Sequence, residues 1–199
     1  EIVAIISDYA KIEDMNGLLR GLNDYFYRKN HQMKIRSRQS QSDSLLKYVT
    51  YCSGEIPAAA KHAKPAWQNA IQYACQPLLQ GHFIVQSYID RIIALLSRYG
   101  DYMVLGKGVL LAHAKTKDGV LASSAALTLF EKPITMQSGK EIRCIICLAP
   151  QNQNDHLDFL ALLLQKLNDA EWCKNLFTRN SQEELESFIW TTVDENADQ

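Results

Sequence analysis

The segment that most restricts the fold is residues 142–149, which reads Ile-Arg-Cys-Ile-Ile-Cys-Leu-Ala and is apolar at almost every position. A strand with one face in water alternates apolar and polar side chains, whereas a strand buried on both faces is apolar nearly throughout. A sheet that contains such a strand needs a layer of helices on each side. The chain is therefore predicted to be an α/β fold, a mixed sheet sandwiched between helices, with an N-terminal helical segment.

Helical spacing of apolar side chains occurs on both sides of this strand in the sequence. Two helices are predicted before it, at residues 65–81 and 87–100, and two after it, beginning at residues 155 and 181. Ser87 with Asp90, and Ser181 with Glu184, have the spacing of a capping box and are expected to begin the second and the last helix. A further short helix is predicted over residues 44–51.

Short apolar runs at residues 103–105, 109–112 and 125–130 are predicted to be further strands. Two cysteines, Cys144 and Cys147, lie three positions apart within the central strand, so their side chains face opposite sides of the sheet. We therefore expect two buried thiols rather than a redox pair or a metal site.

The sequence is predicted to divide into a leading segment, a linker, one main domain and a tail. Residues 1–30 have a helical pattern, and residues 31–45 are polar, locally basic and rich in glutamine and serine, which is typical of a linker. The main domain is predicted over residues 46–193 and a disordered tail over 194–199. Three basic residues in the linker, Lys34, Arg36 and Arg38, lack interleaved aromatics and favour a solvated linker over a nucleic-acid contact.

Composition excludes several classes of protein. The 199 residues carry a net charge of −1, with no basic excess that would favour nucleic acid, and no apolar run approaches the roughly 20 residues that span a bilayer. The cysteines number five, an odd count, and lie mostly inside apolar patterns, which favours reduced thiols in the cytoplasm. No histidine has a partner at zinc-ligand spacing and no phosphate-binding glycine loop occurs, so neither a metal nor a cofactor is predicted.

Two histidines are candidates for chemistry. His113 follows the strand at 109–112, at the point where the chain becomes polar, and Lys107, Lys115 and Lys117 are expected to place positive charge near it. His156 falls in the first turn of the helix after the central strand, where the helix dipole favours a neutral imidazole and free amides can bind an anion. Each histidine alone is more often an ordinary polar residue. If their strands are neighbours, both imidazoles converge, and a neutral imidazole can accept a phosphoryl group.

Residues from Trp67 to about Ile189 resemble the enzyme IIA domain of the bacterial phosphoenolpyruvate-dependent sugar phosphotransferase system. The resemblance is to the mannitol/fructose superfamily, and within it to the ascorbate branch. Residues 99–120 are the specific part of the match. The matching positions are Trp67-x-x-Ala70-Ile71, Pro77-Leu78-Leu79, Tyr88-Ile89, Tyr99-Gly100-x-Tyr102-x-Val104-Leu105, Gly108-Val109, His113-Ala114-Lys115, Asp118-Gly119-Val120, Lys132-Pro133-Ile134 and Leu148-Ala149 with His156-Leu157.

The resemblance implies a role for each histidine and two protein partners. His113 would accept a phosphoryl group from the histidine phosphocarrier protein and pass it to a IIB domain, in cis or in trans. His156 would lie beside it and hold the phosphoryl oxygens. Two neighbours of His113 depart from the family pattern, since the family usually has proline at Ala112 and often arginine at Lys115, whose charge lysine keeps without the planar fork of the guanidinium. Leu95 stands where the mannitol type has a catalytic arginine, as expected for the ascorbate branch.

The resemblance leaves three functions open. Residues 1–30 are similar to the last helix of a galactitol-type IIB domain, which favours a regulatory phosphoryl acceptor at the C-terminus of a sugar-responsive transcription regulator or antiterminator. Such a protein would contact nucleic acid only through domains outside this sequence, and a homodimer is possible. The alternatives are a transport IIA subunit that donates phosphate to a IIB for ascorbate or a related sugar, and a non-catalytic IIA-like docking module.

Overall fold

The structure is a computed structural model that describes residues 45–56, 65–151 and 157–197. The predicted N-terminal helical segment, the linker as far as residue 44, and His156 lie outside these residues. The division of the chain into domains therefore stays a prediction.

Five strands form one mixed sheet in the order β1-β4-β5-β3-β2. The central strand β5 runs antiparallel to β4 and parallel to β3, and β1 runs parallel to β4. The strands are β1 (Leu46–Cys52), β2 (Val104–Gly106), β3 (Val109–His113), β4 (Ser124–Thr135) and β5 (Glu141–Ala149). The apolar run at residues 142–149 thus lies in the middle strand of the sheet.

Helices cover both faces of this sheet. One face carries α1 (Ala66–Gln80) and α2 (Gln86–Tyr99), and the other carries α3 (Leu157–Asn168), α4 (Ala170–Thr178) and α5 (Gln182–Ala197). Side chains of β5 alternate between the two cores: Ile145 and Cys147 pack toward α1 and α2, whereas Cys144 and Ile146 pack toward α3–α5. The predicted α/β sandwich is confirmed, and so is the placement of the two thiols on opposite faces. No helix in the described ranges is long and apolar enough to cross a membrane.

The first two helices form where the sequence predicts them, but α2 begins differently. Val85 is its N-cap, and no side chain caps the helix there. The Ser87 hydroxyl instead donates to the backbone carbonyl of Asp118 at 2.9 Å, and the Asp90 carboxylate accepts from the Gln86 side chain. The capping box predicted from Ser87 and Asp90 is therefore wrong, because Ser87 already lies inside the first turn and bonds outward.

The short helix predicted over residues 44–51 is also wrong, because residues 46–51 belong to the strand β1. Buried positions in β1 recur every third residue, at Leu46, Val49 and Cys52, which imitates helical spacing. The first interval of three results from an irregularity in the pairing of β1 with β4 between Leu46 and Tyr48. An extra residue at such a bulge interrupts the alternation of period two that identifies a strand. The second interval arises because Cys52 packs into the core on the opposite face of the sheet from Val49.

The C-terminal helices differ from the prediction in two places. Asp169 begins the unpredicted helix α4, where its carboxylate accepts from the amides of Glu171 and Trp172 at 2.8 and 3.1 Å. The predicted cap of α5 is present in part, because the Ser181 hydroxyl accepts from the Glu184 amide at 3.2 Å. The helix α5 spans Gln182–Ala197, and the predicted domain bounds, including the tail from residue 194, stay a prediction.

Candidate functional site

His113 is the last residue of β3, at the carboxyl edge of the parallel β3–β5 pair. Its register partner is Leu148, near the end of β5, and its imidazole is half-buried. Alternation along β3 places His113 on the same face as Val109 and Leu111, which is the face that α3–α5 cover. A rigid, centrally placed strand therefore delivers one imidazole to the edge of the sheet where α/β folds bind ligands.

A single hydrogen bond sets the protonation pattern of this imidazole. Nδ1 lies 3.0 Å from the backbone carbonyl oxygen of Leu111. A carbonyl oxygen can only accept, so Nδ1 must carry the proton and donate. In the neutral ring the lone pair is then on Nε2, which leaves that nitrogen as the nucleophile.

Burial lowers the pKa of His113 below its ordinary value of 6.5, and the bond to the Leu111 carbonyl offsets part of this decrease. Desolvation disfavours the charged imidazolium more than the neutral ring. The ring is therefore predominantly neutral at pH 7 and can act as a nucleophile without first losing a proton.

The loop after His113 is tied down by side-chain caps. The Asp118 carboxylate accepts from the Lys115 amide at 3.1 Å and closes the short 3-10 turn Thr116–Asp118. The Thr116 hydroxyl donates to the Pro150 carbonyl at 2.8 Å, which joins this loop to the end of β5. Arg91 of α2 lies 3.7 Å from the same Asp118 carboxylate, in a half-exposed ion pair of small energetic value. These ties hold the backbone on the carboxyl side of His113.

The predicted positive charge near His113 is confirmed at two lysines and wrong at the third. Lys115 and Lys117 are exposed in the loop that follows His113. Lys107, with Gly106 and Gly108, lies at the opposite end of β3, about 13 Å away along the strand at 3.3 Å per residue. The Lys107 ammonium donates to the Leu167 carbonyl at the end of α3, so it stabilises the fold there.

The second predicted site residue, His156, lies outside the described residues. Its approach to His113 therefore stays a prediction. The neighbouring elements are described: β5 ends at Ala149 beside His113, and α3, which begins at Leu157, packs on the face of the sheet that carries His113.

Tyr88 is the site residue that the sequence reading missed. Its side chain is completely buried, and its hydroxyl contacts both Ala114, which follows His113, and Leu148, the register partner of His113. The sequence predicts Tyr88 as part of the apolar stripe of α2 and as a position that matches the family, and neither assigns it a role at the site. The available signal was the hydroxyl, because a buried tyrosine needs a hydrogen-bond partner.

The described part of the chain contains no set of side chains that could bind a metal ion. Among those residues no group of three or more histidine, cysteine, aspartate or glutamate side chains could hold a metal ion. All five cysteines are buried free thiols, and burial raises the pKa of Cys144 to about 12.

Comparison with known proteins agrees with this fold. The family model "Phosphoenolpyruvate-dependent sugar phosphotransferase system, EIIA 2" matches residues 59–191, well over half of the chain. The chain belongs to this family. The matched residues form a IIA domain of the sugar phosphotransferase system.

Individual relatives are moderately similar. The mannitol-specific cryptic phosphotransferase enzyme IIA component of Escherichia coli K12 is 29% identical over 129 residues, which cover 64% of this chain and 88% of the relative. An ascorbate-specific EIIA component from Shigella flexneri is 24% identical over 107 residues, which cover 53% of this chain and 70% of the relative. The solution structure of the Escherichia coli cryptic mannitol IIA, CmtB, has a TM-score of 0.59 at 27% identity over 74% of this chain and 92% of that one.

Proposed function

We propose that His113 is the phosphoryl acceptor of this IIA domain and that the histidine phosphocarrier protein is its donor. The observation that carries the proposal is the Nδ1 hydrogen bond to the Leu111 carbonyl, which leaves the Nε2 lone pair free at the edge of the sheet. That lone pair attacks phosphorus, a bond from Nε2 to phosphorus forms, and the bond from phosphorus to the donor's imidazole nitrogen breaks. The electron pair of the broken bond returns to the donor's imidazole.

The chemistry after the attack depends mainly on positioning and on donors around the phosphoryl oxygens. Lys115 and Lys117 are exposed beside His113 and supply positive charge. We assign a further stabilising contact to His156, which directly precedes Leu157 in the sequence. No metal is required in this scheme, since charge stabilisation comes from lysine, histidine and backbone groups.

Within this chemistry we propose a regulatory role, as the IIA-like part of a sugar-responsive transcription regulator. Support comes from the chain upstream of the family match, which begins only at residue 59. Those residues include the predicted helical segment and linker, whereas the cryptic mannitol IIA is matched over 88% of its own length without such a segment. A IIB domain, in cis or in trans, would be the second partner, and phosphorylation would shift the equilibrium between two arrangements of that interface.

Transport is the second candidate. The relatives with assigned sugars are a mannitol-specific and an ascorbate-specific IIA component. A transport IIA would load from the phosphocarrier and release its phosphoryl group quickly to a cognate IIB. The third candidate, a docking module without transfer, is favoured only by Ala112 and Lys115 beside His113.

The proposal is tested by phosphorylation in a reconstituted system. The full chain is incubated with phosphoenolpyruvate, enzyme I and the phosphocarrier, and acid-labile phosphate is measured. His113→Ala should abolish labelling. His156→Ala should slow it without abolishing it, and His82→Asn, a change at an exposed histidine outside the site, should leave it unchanged.

Retention of labelling in His113→Ala would overturn the assignment of the acceptor. An absence of labelling in the unaltered chain would leave the docking module as the remaining function. A chase of the loaded protein with mannitol and ascorbate IIB domains then separates the other two, because a regulator should keep its phosphate and a transport subunit should lose it.

A further inference from the structure

The buried hydroxyl of Tyr88 bridges the ends of the two strands that define the site. It donates to the backbone carbonyl of Leu148 at 2.6 Å and accepts from the backbone amide of Ala114 at 3.1 Å. A longer contact, at 3.4 Å, joins it to the Ala114 carbonyl. Ala114 directly follows His113, and Leu148 is the register partner of His113.

The position of this hydroxyl follows from the geometry of a parallel ladder. When His113 and Leu148 are paired, a direct bond from the Ala114 amide to the Leu148 carbonyl is one of the two patterns that a parallel register allows. The Tyr88 hydroxyl occupies the place of that bond and relays it, receiving from the amide and donating to the carbonyl. The strands can therefore separate after His113 while neither buried backbone group is left unpaired.

Tyr88 and His113 lie on opposite sides of the sheet. The Tyr88 ring belongs to the core beneath α1 and α2 with Ala112 and Ala114, whereas His113 alternates with Leu111 toward α3–α5. The hydroxyl consequently reaches the site through the backbone alone. It has no route to the phosphoryl group itself.

The protonation of Tyr88 is constant over the working pH range. Burial raises the pKa of its phenol well above the ordinary value of 10. The hydroxyl keeps its proton and therefore always donates to Leu148 and accepts from Ala114.

We propose that Tyr88 is a positioning residue for His113: its hydroxyl sets where β3 ends and so holds the His113 backbone in the position that lets Nδ1 reach the Leu111 carbonyl. The expected effect on phosphoryl transfer rests on the proposed function of His113. The expected effect on the tautomer and pKa of the imidazole does not. Without the hydroxyl, the Ala114 amide and the Leu148 carbonyl pair directly or admit water. Either change moves the end of β3.

The test compares Tyr88→Phe with Tyr73→Phe. Both substitutions remove one phenol hydroxyl. Tyr73 lies on α1 against Phe130, away from the carboxyl ends of β3 and β5. Nitrogen-15 NMR of the labelled histidine ring reports the tautomer and pKa of His113 in each protein. Single-turnover labelling by the phosphorylated phosphocarrier reports the transfer rate.

In Tyr88→Phe we expect the His113 pKa to fall further below its ordinary value, because the bond to the Leu111 carbonyl that offsets part of the effect of burial is weakened. The Nδ1-protonated tautomer should lose its dominance, and transfer should slow by roughly tenfold or more, as displacement of a reacting group does. Tyr73→Phe should leave all three unchanged. An unchanged tautomer, pKa and rate in Tyr88→Phe would overturn the inference. If the unaltered chain accepts no phosphate, the proposed function fails, while the tautomer and pKa still decide the role of Tyr88.

A measurement on the unaltered protein covers the case in which Tyr88→Phe does not fold. A bridging hydroxyl should give a slowly exchanging Tyr88 proton with a cross-peak to the Ala114 amide in NMR. A rapidly exchanging hydroxyl without that cross-peak would contradict the bridge, whatever the variant does.

Discussion

His113 is oriented by a backbone carbonyl only two residues before it on the same strand. The contact from Nδ1 to the Leu111 carbonyl therefore depends on the conformation of the end of β3 rather than on a distant partner. Burial lowers the pKa of the ring and the hydrogen bond partly restores it. The two effects together produce a neutral imidazole with one defined nucleophilic nitrogen.

The lowered pKa of His113 predicts a pH dependence of stability. Between the unfolded-state pKa, about 6.5, and the lower folded-state pKa, the unfolded chain binds more protons than the folded one, so the free energy of unfolding falls as pH falls through this window. His113→Gln should remove this contribution. Urea unfolding of both proteins from pH 7.5 to pH 5 should show a steeper loss in the unaltered chain, and parallel pH profiles would contradict the lowered pKa.

At the level of the elements, the helix termini show that residue spacing alone does not identify which residue caps a helix. The spacing of Ser87 and Asp90 satisfies a capping box, yet α2 begins one residue earlier and its first turn bonds to the loop after β3. Asp169 lacks that spacing, since Trp172 stands three residues later, and still caps α4. Capping depends on the backbone conformation at one residue, which tertiary contacts select and a local pattern does not contain.

This difference predicts that replacing Asp169 destabilises the protein more than replacing Asp90. Asp169→Ala removes an N-cap with two amide partners and should lower the free energy of unfolding by about 1 kcal/mol. Asp90→Ala removes a carboxylate that accepts from an exposed glutamine side chain and should change it by less than about 0.5 kcal/mol. Urea denaturation of both variants measures this. A larger loss in Asp90→Ala would mean that the capping box is present after all.

For the molecule as a whole, the sequence predicts best those features that depend on burying a whole strand or helix face. The apolar run in β5 predicted the sandwich because few other arrangements bury both faces of a strand. The same reasoning failed at β1, where buried positions recur every third residue because a bulge follows Leu46 and because Cys52 faces the opposite core from Val49. The position of His113 at the end of β3 was predictable from the sequence, whereas the contacts of Tyr88 were not, because its hydroxyl bonds to residues 26 and 60 positions away.

The five buried thiols report on whether the two helical layers unfold together. Cys52, Cys75 and Cys147 lie in the core beneath α1 and α2, and Cys144 and Cys173 in the core beneath α3–α5. Since the thiolate is the reactive form, burial and the raised pKa of Cys144, about 12, should make it inert to thiol reagents at pH 8 in the folded protein.

Pulsed labelling across a urea series, read by mass spectrometry, should therefore show all five thiols becoming reactive at one midpoint. The reason is that β5 contributes side chains to both cores and couples them. Reactivity of Cys144 and Cys173 at a lower urea concentration than the other three would show that the α3–α5 layer separates first.

The central claim is that Nε2 of His113 receives the phosphoryl group. The most direct measurement is phosphorus-31 and nitrogen-15 NMR of histidine-labelled protein after incubation with phosphoenolpyruvate, enzyme I and the phosphocarrier. We expect one phosphohistidine, with the phosphorus on Nε2 and the assigned ring belonging to His113, because Nδ1 is occupied by its hydrogen bond to the Leu111 carbonyl. A phosphoryl group on Nδ1 of His113, or on any other histidine, would contradict the account.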